Sequence, residues 1–337
     1  MLVLRVSLLV ISRNVGESWD WLNLLSSDYR APPWYIDQIL PENGSIVVEG
    51  PEGSGKSMLA LQMALALTTG TPFVGYEVDR PRKVLYLQCE GNLGDTAQRG
   101  HDMHLWLPRP AEGMLTVDFL LRKKINTKAG FQALREMCEE AGLDGGVLIV
   151  DPVYKTIRGS MKDDEVVGEW TDNVDLVIHE FKSAAIVLHH QSRPTRDGLT
   201  GAKVDTEPGE KIYGSAFWKA WASYGFQFGR IGGRDKGYKL VCWKPRRPTL
   251  IEDNPLVLTM VEPRPLGFEL MEDGLTSVGA TIRLLTKVSG LWYTKEDLKT
   301  VLGKSVSAVQ KAVEELVDRG WLEEGDGRPR KYRYQGG

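Results

Sequence analysis

The chain has 337 residues, of which 42% are hydrophobic and 26% are charged, and its formal net charge is −3. This composition is ordinary for a globular protein of about two domains, and it excludes a protein that coats nucleic acid through its overall positive charge. The three cysteines lie far apart without C-x-x-C spacing, and no apolar run reaches the roughly 18 to 20 residues of a membrane span. We therefore expect a cytoplasmic protein without a zinc site, a disulfide framework or a membrane partner.

Residues 1–34 have a mixed character and are predicted to form an N-terminal arm. Met1–Ile11 is apolar, but Arg5 interrupts it and no small-residue cleavage site follows. A short strand or a partner-facing arm is therefore expected rather than a signal peptide. The turn Leu40–Gly44 then leads into the first core strand, Ser45–Glu49.

A glycine-rich segment follows this strand and precedes a helix-prone segment, Met58–Leu67. A strand, the pattern G-x-x-x-x-G-K-S and a helix, in this order, predict a phosphate-binding loop. Its glycines allow backbone N–H groups to surround phosphate oxygens, and the helix directs its positive dipole end at the same anion. Lys56 is expected to reach the β- and γ-phosphates of ATP, and the Ser57 hydroxyl is expected to ligate Mg²⁺. The predicted ATP-contacting residues are Gly50, Glu52, Gly53, Ser54, Gly55, Lys56 and Ser57.

Two later apolar runs each lead to an acidic residue. Val84–Glu90 is predicted to be a buried parallel strand, and its last residue lies where ligands bind in open α/β sheets, at the carboxyl ends of the strands. Gly145–Val150 is a second buried strand, and Asp151 follows it in the position of a carboxylate that binds Mg²⁺. Helices are predicted at 94–107 and 128–141.

The rest of a predicted large domain, residues 35–265, also alternates helices with strands. Glu165–Lys182 is predicted to be a helix, and Ala184–Gln191 is a fourth buried strand that ends in two imidazoles and an amide. Ser192–Gly214 is a polar loop of a length that is usually functional or disordered. Three further segments alternate in polarity and are predicted to be antiparallel strands, at 224–230, 238–243 and 256–261.

A smaller domain of different character is predicted at 276–337. A helix starting at Ile282, a helix opened by the capping-box pattern at Thr294, a helix over Ser305–Val317 and a terminal hairpin are typical of a winged-helix domain. The domain has eleven basic and eight acidic residues, a net charge of +3 against −3 for the whole chain. This favours DNA binding, and docking of a protein partner is the alternative. The expected DNA contacts are Lys304 and Lys311 near the recognition helix and Arg328, Arg330, Lys331 and Arg333 on the wing.

Residues 35–250 resemble the RecA-like ATPases, and within them the ring-forming helicases of the plasmid RepA and DnaB type. The matching segments are, in chain order, Gly50–Ser57, Phe73-Val74-Gly75 before the strand that ends at Glu90, Leu148–Pro152, His189-His190-Gln191 and Trp243-Lys244-Pro245-Arg246. The resemblance implies an α/β fold, a RecA-like P-loop NTPase core with a mostly parallel sheet.

The resemblance also implies roles for the matched residues. Glu90 would activate the attacking water, and Asp151 would hold the Mg²⁺ ion. Either Gln191 or His190 would sense the γ-phosphate and pass its state to the following loop, and the sequence leaves this choice open. For His189 a structural role is expected.

Two cations late in the domain resemble the pair that reaches the ATP of a neighbouring subunit. Lys244 and Arg246 would neutralise the charge that develops on the transferring phosphoryl group, which requires an oligomer. Pro245 between them departs from the family pattern, and Arg230 and Arg234 are alternatives for this role.

The loop after the fourth strand corresponds to the DNA-contacting loop in the channel of such rings. Its basic residues could contact phosphates of single-stranded DNA, and the loop before Glu165 is a second candidate. The predicted contacts are Arg193, Arg196 and Lys203 in the first loop and Lys155, Arg158 and Lys162 in the second.

These features predict a ring-forming DNA helicase or translocase that uses ATP and Mg²⁺ and assembles as a homo-oligomer, with a hexamer expected. It would act on single-stranded DNA, with replication proteins as partners, in the replication of a phage, plasmid or mobile element. One alternative is a RecA-like strand-exchange ATPase that forms filaments. Another is a DNA-binding regulator that ATP switches on or off.

Overall fold

The computed structural model of the chain describes residues 21–22, 33–119, 123–192, 208–210, 212–231, 237–253, 255–261, 267–271, 282–283, 285–286, 289–302, 304–325, 327 and 329–335. The chain forms two units, Met1–Pro33 and Trp34–Gly337. The predicted N-terminal arm lies almost wholly outside the described residues. None of the described helices has the length and apolar character that a membrane crossing requires.

A nine-stranded mixed sheet forms the centre of the second unit. In order across the sheet, its strands are β11 (Phe268–Leu270), β10 (Leu256–Met260), β9 (Tyr238–Lys244), β8 (Tyr224–Arg230), β3 (Ser45–Gly50), β7 (Ala184–His190), β6 (Val147–Asp151), β4 (Val84–Gln88) and β5 (Leu115–Asp118). The strands from β8 to β5 run parallel to their neighbours, whereas β9, β10 and β11 are antiparallel. A short antiparallel pair, β1 (Trp34–Ile36) and β2 (Leu40–Pro41), precedes β3. The predicted α/β fold with a mostly parallel sheet is confirmed.

The helices of this core connect the strands. They are α1 (Lys56–Thr69), α2 (Leu93–Met103), α3 (Lys128–Ala141), α4 (Asp164–Glu180), α5 (Phe217–Trp221) and α6 (Leu250–Asp253), with a 3₁₀ turn at Val153–Thr156. Side chains cap three of them at the N-terminus, because Asn92, Thr127 and Asp163 each accept a bond from a first-turn amide.

The sheet is buried on both faces, which explains its apolar strands. Val147 and Ile149 of β6 contact the core that contains α1, whereas Leu148 and Val150 contact the core that contains α3 and α4. A strand covered on both sides is apolar at successive positions because its side chains alternate between the two cores. Helix α1 is buried at every position from Met58 to Thr68, so it lacks a solvent-facing stripe and forms part of the interior.

The antiparallel edge of the sheet is bonded to α1. Gln62 Nε2 donates to the carbonyl of Phe268 at 2.7 Å, and the Phe268 amide donates to Gln62 Oε1 at 2.7 Å. The rings of Phe228, Tyr238 and Phe268 pack together with centroids 4.9 to 5.5 Å apart. Strand β11 is four strands from β3 in the sheet, yet it contacts the helix that follows β3.

Several predicted boundaries differ from the structure. Strand β4 ends at Gln88, which pairs with Asp151, and the chain turns out of the sheet at Gly91 with φ of 90°. Glu90 therefore lies in a turn after the strand instead of ending it. The helix predicted at 94–107 ends at Met103, and α5 was not predicted because five residues are too few for a periodic pattern to be recognised.

The C-terminal segment has a core and a sheet of its own. Its elements are β12 (Tyr293–Thr294), α7 (Lys295–Leu302), α8 (Val306–Asp318), β13 (Leu322–Gly325) and β14 (Lys331–Tyr334), with strand order β12-β14-β13. The predicted capping box is present, because Asp297 Oδ2 accepts from the Thr294 amide at 2.8 Å and Thr294 Oγ1 accepts from the Asp297 amide at 3.1 Å. The predicted last helix and hairpin are confirmed as elements. The winged-helix assignment and the domain boundaries stay predictions.

Candidate functional site

The loop between β3 and α1 borders a cavity of about 250 Å³. Gly55 precedes α1 in the left-handed conformation with φ of 95°, and no side chain caps this end of the helix. The first-turn N–H groups of α1 are therefore left without a side-chain acceptor, as an anion-binding helix terminus requires. The cavity is lined by Glu52, Gly53, Ser54, Gly55, Lys56, Ser57, Met58, Glu90, Arg99, Asp151, Pro152 and His190.

Two glycines of the loop have no room for a side chain. A Cβ atom at Gly50 would lie 2.1 Å from the carbonyl oxygen of Phe228, inside van der Waals contact. A Cβ atom at Gly55 would lie 3.1 Å from the ring of Phe268, and its positive φ disfavours any other residue. The close approach of β8 and β11 thus requires glycine at these two positions. This requirement adds to the need for glycine in a loop that surrounds phosphate.

Lys56 is buried and is held by the loop itself. Its Nζ donates to the carbonyl oxygens of Gly50 and Pro51, each at 2.8 Å. Burial lowers the pKa of Lys56 to about 8, although the charges of Asp151 and Glu90 oppose that shift. A buried ammonium group whose hydrogen bonds go to two backbone carbonyls is suited to bind an anion.

Asp151 lies at the end of β6 and is 4% exposed. Its Oδ2 accepts a hydrogen bond from the Tyr86 hydroxyl at 2.6 Å, and the nearby Ser57 side chain favours the ionised form of the carboxylate. Burial raises the pKa of Asp151, while these two side chains and the charge of Lys56 oppose the shift. The structure therefore brings the two predicted Mg²⁺ ligands, Ser57 and Asp151, close together.

Glu90, in the turn after β4, and His190, the last residue of β7, border the same cavity. The Glu90 side chain is 42% exposed, and its Oε1 lies 3.9 Å from Lys155 Nζ. Burial and the nearby charge of Lys56 lower the pKa of His190, and its ring lies 5.1 Å from that of Tyr154. Both residues thus line the phosphate-side cavity, and their catalytic roles stay predictions.

A second, wider cavity of about 760 Å³ shares three residues with the first, Glu52, Glu90 and His190. Gln191 borders only the wider cavity, and its amide donates to the Gly50 carbonyl at 3.3 Å. Gln191 Nε2 is buried without a hydrogen-bond partner among the described residues. The remaining lining residues are Tyr154, Gly159, Ser160, Met161, His189, Ser192 and Tyr213.

The neighbouring imidazole, His189, is an interior residue. It is fully buried, its Nδ1 lies 2.8 Å from the His190 carbonyl, and its ring packs edge-on against Trp218 with centroids 5.0 Å apart. Burial lowers the pKa of His189 to about 4, so the ring is neutral near pH 7. This environment agrees with the expected structural role.

The residues around the smaller cavity fit a nucleotide with Mg²⁺. Ser54 Oγ is buried and lacks a hydrogen-bond partner among the described residues, which is an open position for a phosphate oxygen or water. Lys56 and the uncapped end of α1 supply positive charge, and Ser57 and Asp151 supply the hard oxygen ligands that Mg²⁺ prefers.

Arg99 was not recognised in the sequence. It lies on α2 and is a partly exposed residue that lines the phosphate-side cavity. Its charge lowers the pKa of both Asp151 and Tyr86, against the larger effect of burial. The sequence predicted the helix, but the direction of one helical side chain depends on how the helix packs.

Replacing Arg99 with glutamine should weaken ATP binding about 10- to 100-fold, because a hydrogen bond to a charged group contributes roughly 1.5–3 kcal/mol. The measurement is a titration with a fluorescent ATP analogue. The matched control is Arg109→Gln, an exposed arginine beyond the end of α2. Equal affinities for the two variants would show that Arg99 does not contact the nucleotide.

The predicted trans pair lies away from the phosphate loop of its own chain. Lys244 of β9 pairs with Gly225 of β8, which in turn pairs with Val47 near the start of β3. The phosphate loop follows the other end of β3. The Lys244 Nζ donates to the carbonyls of Lys219 and, at 2.8 Å, Ala220. Neither Lys244 nor Arg246 joins the site in cis, so their role stays a prediction about a neighbouring subunit.

The alternatives for the trans role differ in position. Arg230 is the last residue of β8, at the same carboxyl end of the parallel strands as the phosphate loop. Its guanidinium lies 5.6 Å from the Tyr238 ring centroid. Arg234 lies outside the described residues.

The predicted nucleic-acid contacts are described only in part. Lys155 faces Glu90, and Lys162 Nζ lies 5.7 Å from the ring centroid of Tyr213 at the wider cavity. In the C-terminal segment Lys311 is exposed on α8, whereas Arg330 is paired with Glu324 at 2.5 Å. Arg193, Arg196 and Lys203 lie outside the described residues, as does Arg328.

A fully buried carboxylate also joins the phosphate loop to a distant segment. Glu49 directly precedes Gly50, and its Oε1 accepts from the Gly209 amide at 2.7 Å. The turn 208–210 lies within the long polar loop, Ser192–Gly214, that follows the fourth core strand.

Comparison with known proteins gives the following similarities. The family model described as "AAA domain" matches residues 15–196, more than half of the chain. No curated protein sequence matches the chain. Among solved structures, the KaiC-like protein PH0186 from the hyperthermophilic archaeon Pyrococcus horikoshii OT3 is similar over 71% of this chain and 94% of that chain. Its TM-score is 0.47 at 12% sequence identity.

Proposed function

Because the chain belongs to the AAA domain family and is a P-loop ATPase, we propose that it is a ring-forming translocase or helicase that acts on single-stranded DNA. Mg²⁺, when bound, would neutralise phosphate charge. Lys56 and the N–H groups that begin α1 bind and orient the phosphates. Glu90 accepts a proton from the attacking water, and His190 or Gln191 hydrogen-bonds near the same position.

The observation that best supports a nucleic-acid substrate is the junction of the two cavities. Glu90 and His190 border the phosphate-side cavity and also the wider one, which Tyr213 lines, and Lys162 Nζ lies 5.7 Å from the Tyr213 ring centroid. A strand held there could contact a lysine through its phosphates and an aromatic ring through its bases. Lys155 is within 3.9 Å of Glu90, so a DNA phosphate that drew Lys155 away would change the charge around the catalytic carboxylate.

The position of Lys244 and Arg246 supports an oligomer. Both lie away from the phosphate loop of their own chain, so they could reach a phosphate only in a neighbouring subunit. We propose a hexameric ring, with replication of a phage, plasmid or mobile element as its setting. All three cysteines are buried and free, which supports a reducing, cytoplasmic location.

Single-stranded DNA should stimulate steady-state ATP hydrolysis, and the stimulation should weaken as salt rises. The double change Lys155→Gln and Lys162→Gln should lower the salt slope of DNA binding by about 1 for each lysine that contacts a phosphate. The measurements are hydrolysis and DNA-binding titrations over a range of NaCl concentrations. The control is Lys83→Gln with Lys182→Gln, since both residues lie just before parallel strands, at the end of the strands opposite the phosphate loop.

The outcomes separate the candidate functions. Stimulation by any single strand, together with rings in electron micrographs, supports the translocase. Stimulation of hydrolysis by single strands, together with extended filaments in electron micrographs, favours a strand-exchange ATPase. Hydrolysis that ignores single strands, with specific binding to one duplex sequence, favours the ATP-switched regulator and rules out the motor.

A further inference from the structure

Tyr86 is a buried tyrosine whose hydroxyl contacts two residues that line the phosphate-side cavity, Ser57 and Asp151. It lies in the middle of β4, opposite Ile149 of β6, and is 1% exposed. Its ring belongs to the hydrophobic core shared with α1. A buried phenol requires a hydrogen-bond partner, so the partners of the Tyr86 hydroxyl indicate its role.

The Tyr86 hydroxyl contacts both predicted Mg²⁺-binding residues. It donates to Asp151 Oδ2 at 2.6 Å and lies 3.3 Å from the backbone carbonyl of Ser57. One phenol hydroxyl thus connects β4 to the end of β6 and to the start of α1, next to the phosphate-side cavity that Ser57 and Asp151 line.

We propose that Tyr86 is a positioning residue that holds the Asp151 carboxylate and the Ser57 end of α1 in the orientation that binds Mg²⁺. This inference rests on the proposed use of Mg²⁺ by the ATPase. A carboxylate that holds a metal is itself usually held by hydrogen bonds, and loss of such an outer contact typically costs 10- to 100-fold in metal affinity. Without the phenol, the Asp151 carboxylate would lose its 2.6 Å hydrogen bond, and it could rotate about its χ2 angle.

The ionisation of Tyr86 is compatible with this role. Burial and the negative charge of Asp151 raise the pKa of the Tyr86 phenol well above its usual range. The hydroxyl therefore remains a donor throughout the pH range in which the protein would work.

The test uses the full-length Tyr86→Phe variant and follows binding of a fluorescent ATP analogue as Mg²⁺ is added. We expect the Mg²⁺ concentration for half-maximal binding to rise about 10- to 100-fold, while affinity in EDTA stays unchanged. The matched control is Tyr35→Phe, which removes a buried hydroxyl that donates to the Lys182 carbonyl at 3.1 Å, away from the cavity. Asp151→Asn and the double variant complete a cycle, in which the effects of Tyr86→Phe and Asp151→Asn should not add.

Two results would overturn the inference. One is an unchanged Mg²⁺ requirement with a melting temperature lowered beyond that of Tyr35→Phe, which would mean that the hydroxyl only stabilises the core. The other is full additivity in the cycle, which would mean that Tyr86 does not act through Asp151. If the wild-type protein bound nucleotide without any Mg²⁺ dependence, the proposed function itself would fail, and this outcome is distinct from the other two.

Discussion

Replacement of Lys56 by alanine is expected to lower the turnover number for ATP hydrolysis by at least about 10²-fold and to weaken ATP binding. The reason is that Lys56 is a buried cation at the phosphate loop, and removal of one preorganised electrostatic contact to a transition state costs on the order of 10²- to 10³-fold. The measurements are steady-state hydrolysis and nucleotide titration. Lys128→Ala, which changes an exposed lysine at the start of α3, is the control and should behave as the wild type.

The same residue gives ATP binding a pH dependence of defined sign. In the nucleotide-free protein burial lowers the pKa of Lys56 to about 8. Phosphate favours the charged lysine, so binding takes up a proton above that pH, and affinity should fall as pH rises through and beyond about 8. The Lys56→Ala variant should lose this fall of ATP affinity with rising pH. An affinity that rises over the same range, or a variant that hydrolyses ATP at the wild-type rate, would contradict the assignment of Lys56.

Replacement of Glu90 by glutamine should lower turnover by about 10²- to 10⁴-fold, the usual contribution of a general base, while ATP binding is kept. Glutamine preserves the size and polarity of the side chain but cannot accept the proton of water. The control is Glu112→Gln, at an exposed glutamate outside both cavities. Single-turnover hydrolysis with bound ATP separates the chemical step from binding.

His190 is the competing proton acceptor, because its lowered pKa leaves the imidazole neutral near pH 7. If Glu90→Gln loses less than tenfold and His190→Gln loses more, the base is His190 and the sequence-based role of Glu90 is wrong. If both variants bind ATP and both are slow, Glu90 is the base and His190 orients the site or senses the phosphate.

The parts of the site that follow from local sequence could be predicted. The phosphate loop depends on eight consecutive residues, and Asp151 depends on the apolar strand directly before it. The mostly parallel sheet follows from unbroken apolar runs separated by helices. These features require no knowledge of which distant segments meet.

The contacts that sequence reasoning missed are those between distant segments. Arg99 reaches the cavity only because of the way α2 packs, and Tyr86 appeared as one apolar strand residue among others. Glu49 and Gly209 are 160 residues apart, and neither belongs to a motif that indicates their hydrogen bond. Lys244 was recognised by its pattern, but its bonds to α5 carbonyls depend on the return of β9 alongside β8. Single-sequence patterns report periodicity along the chain, whereas these contacts depend on tertiary packing.

The complete burial of α1 has a consequence for local unfolding. A helix with apolar neighbours on all sides, bonded to the sheet edge through Gln62, can expose its amides only when much of the core opens. Helix α2, in contrast, is buried only at Met103 and can open at low cost. Amide hydrogens in the later turns of α1, which are bonded within the helix, will therefore exchange with solvent far more slowly than those of α2. The nucleotide site thus lies between one helix that opens only with much of the core and one helix that opens locally.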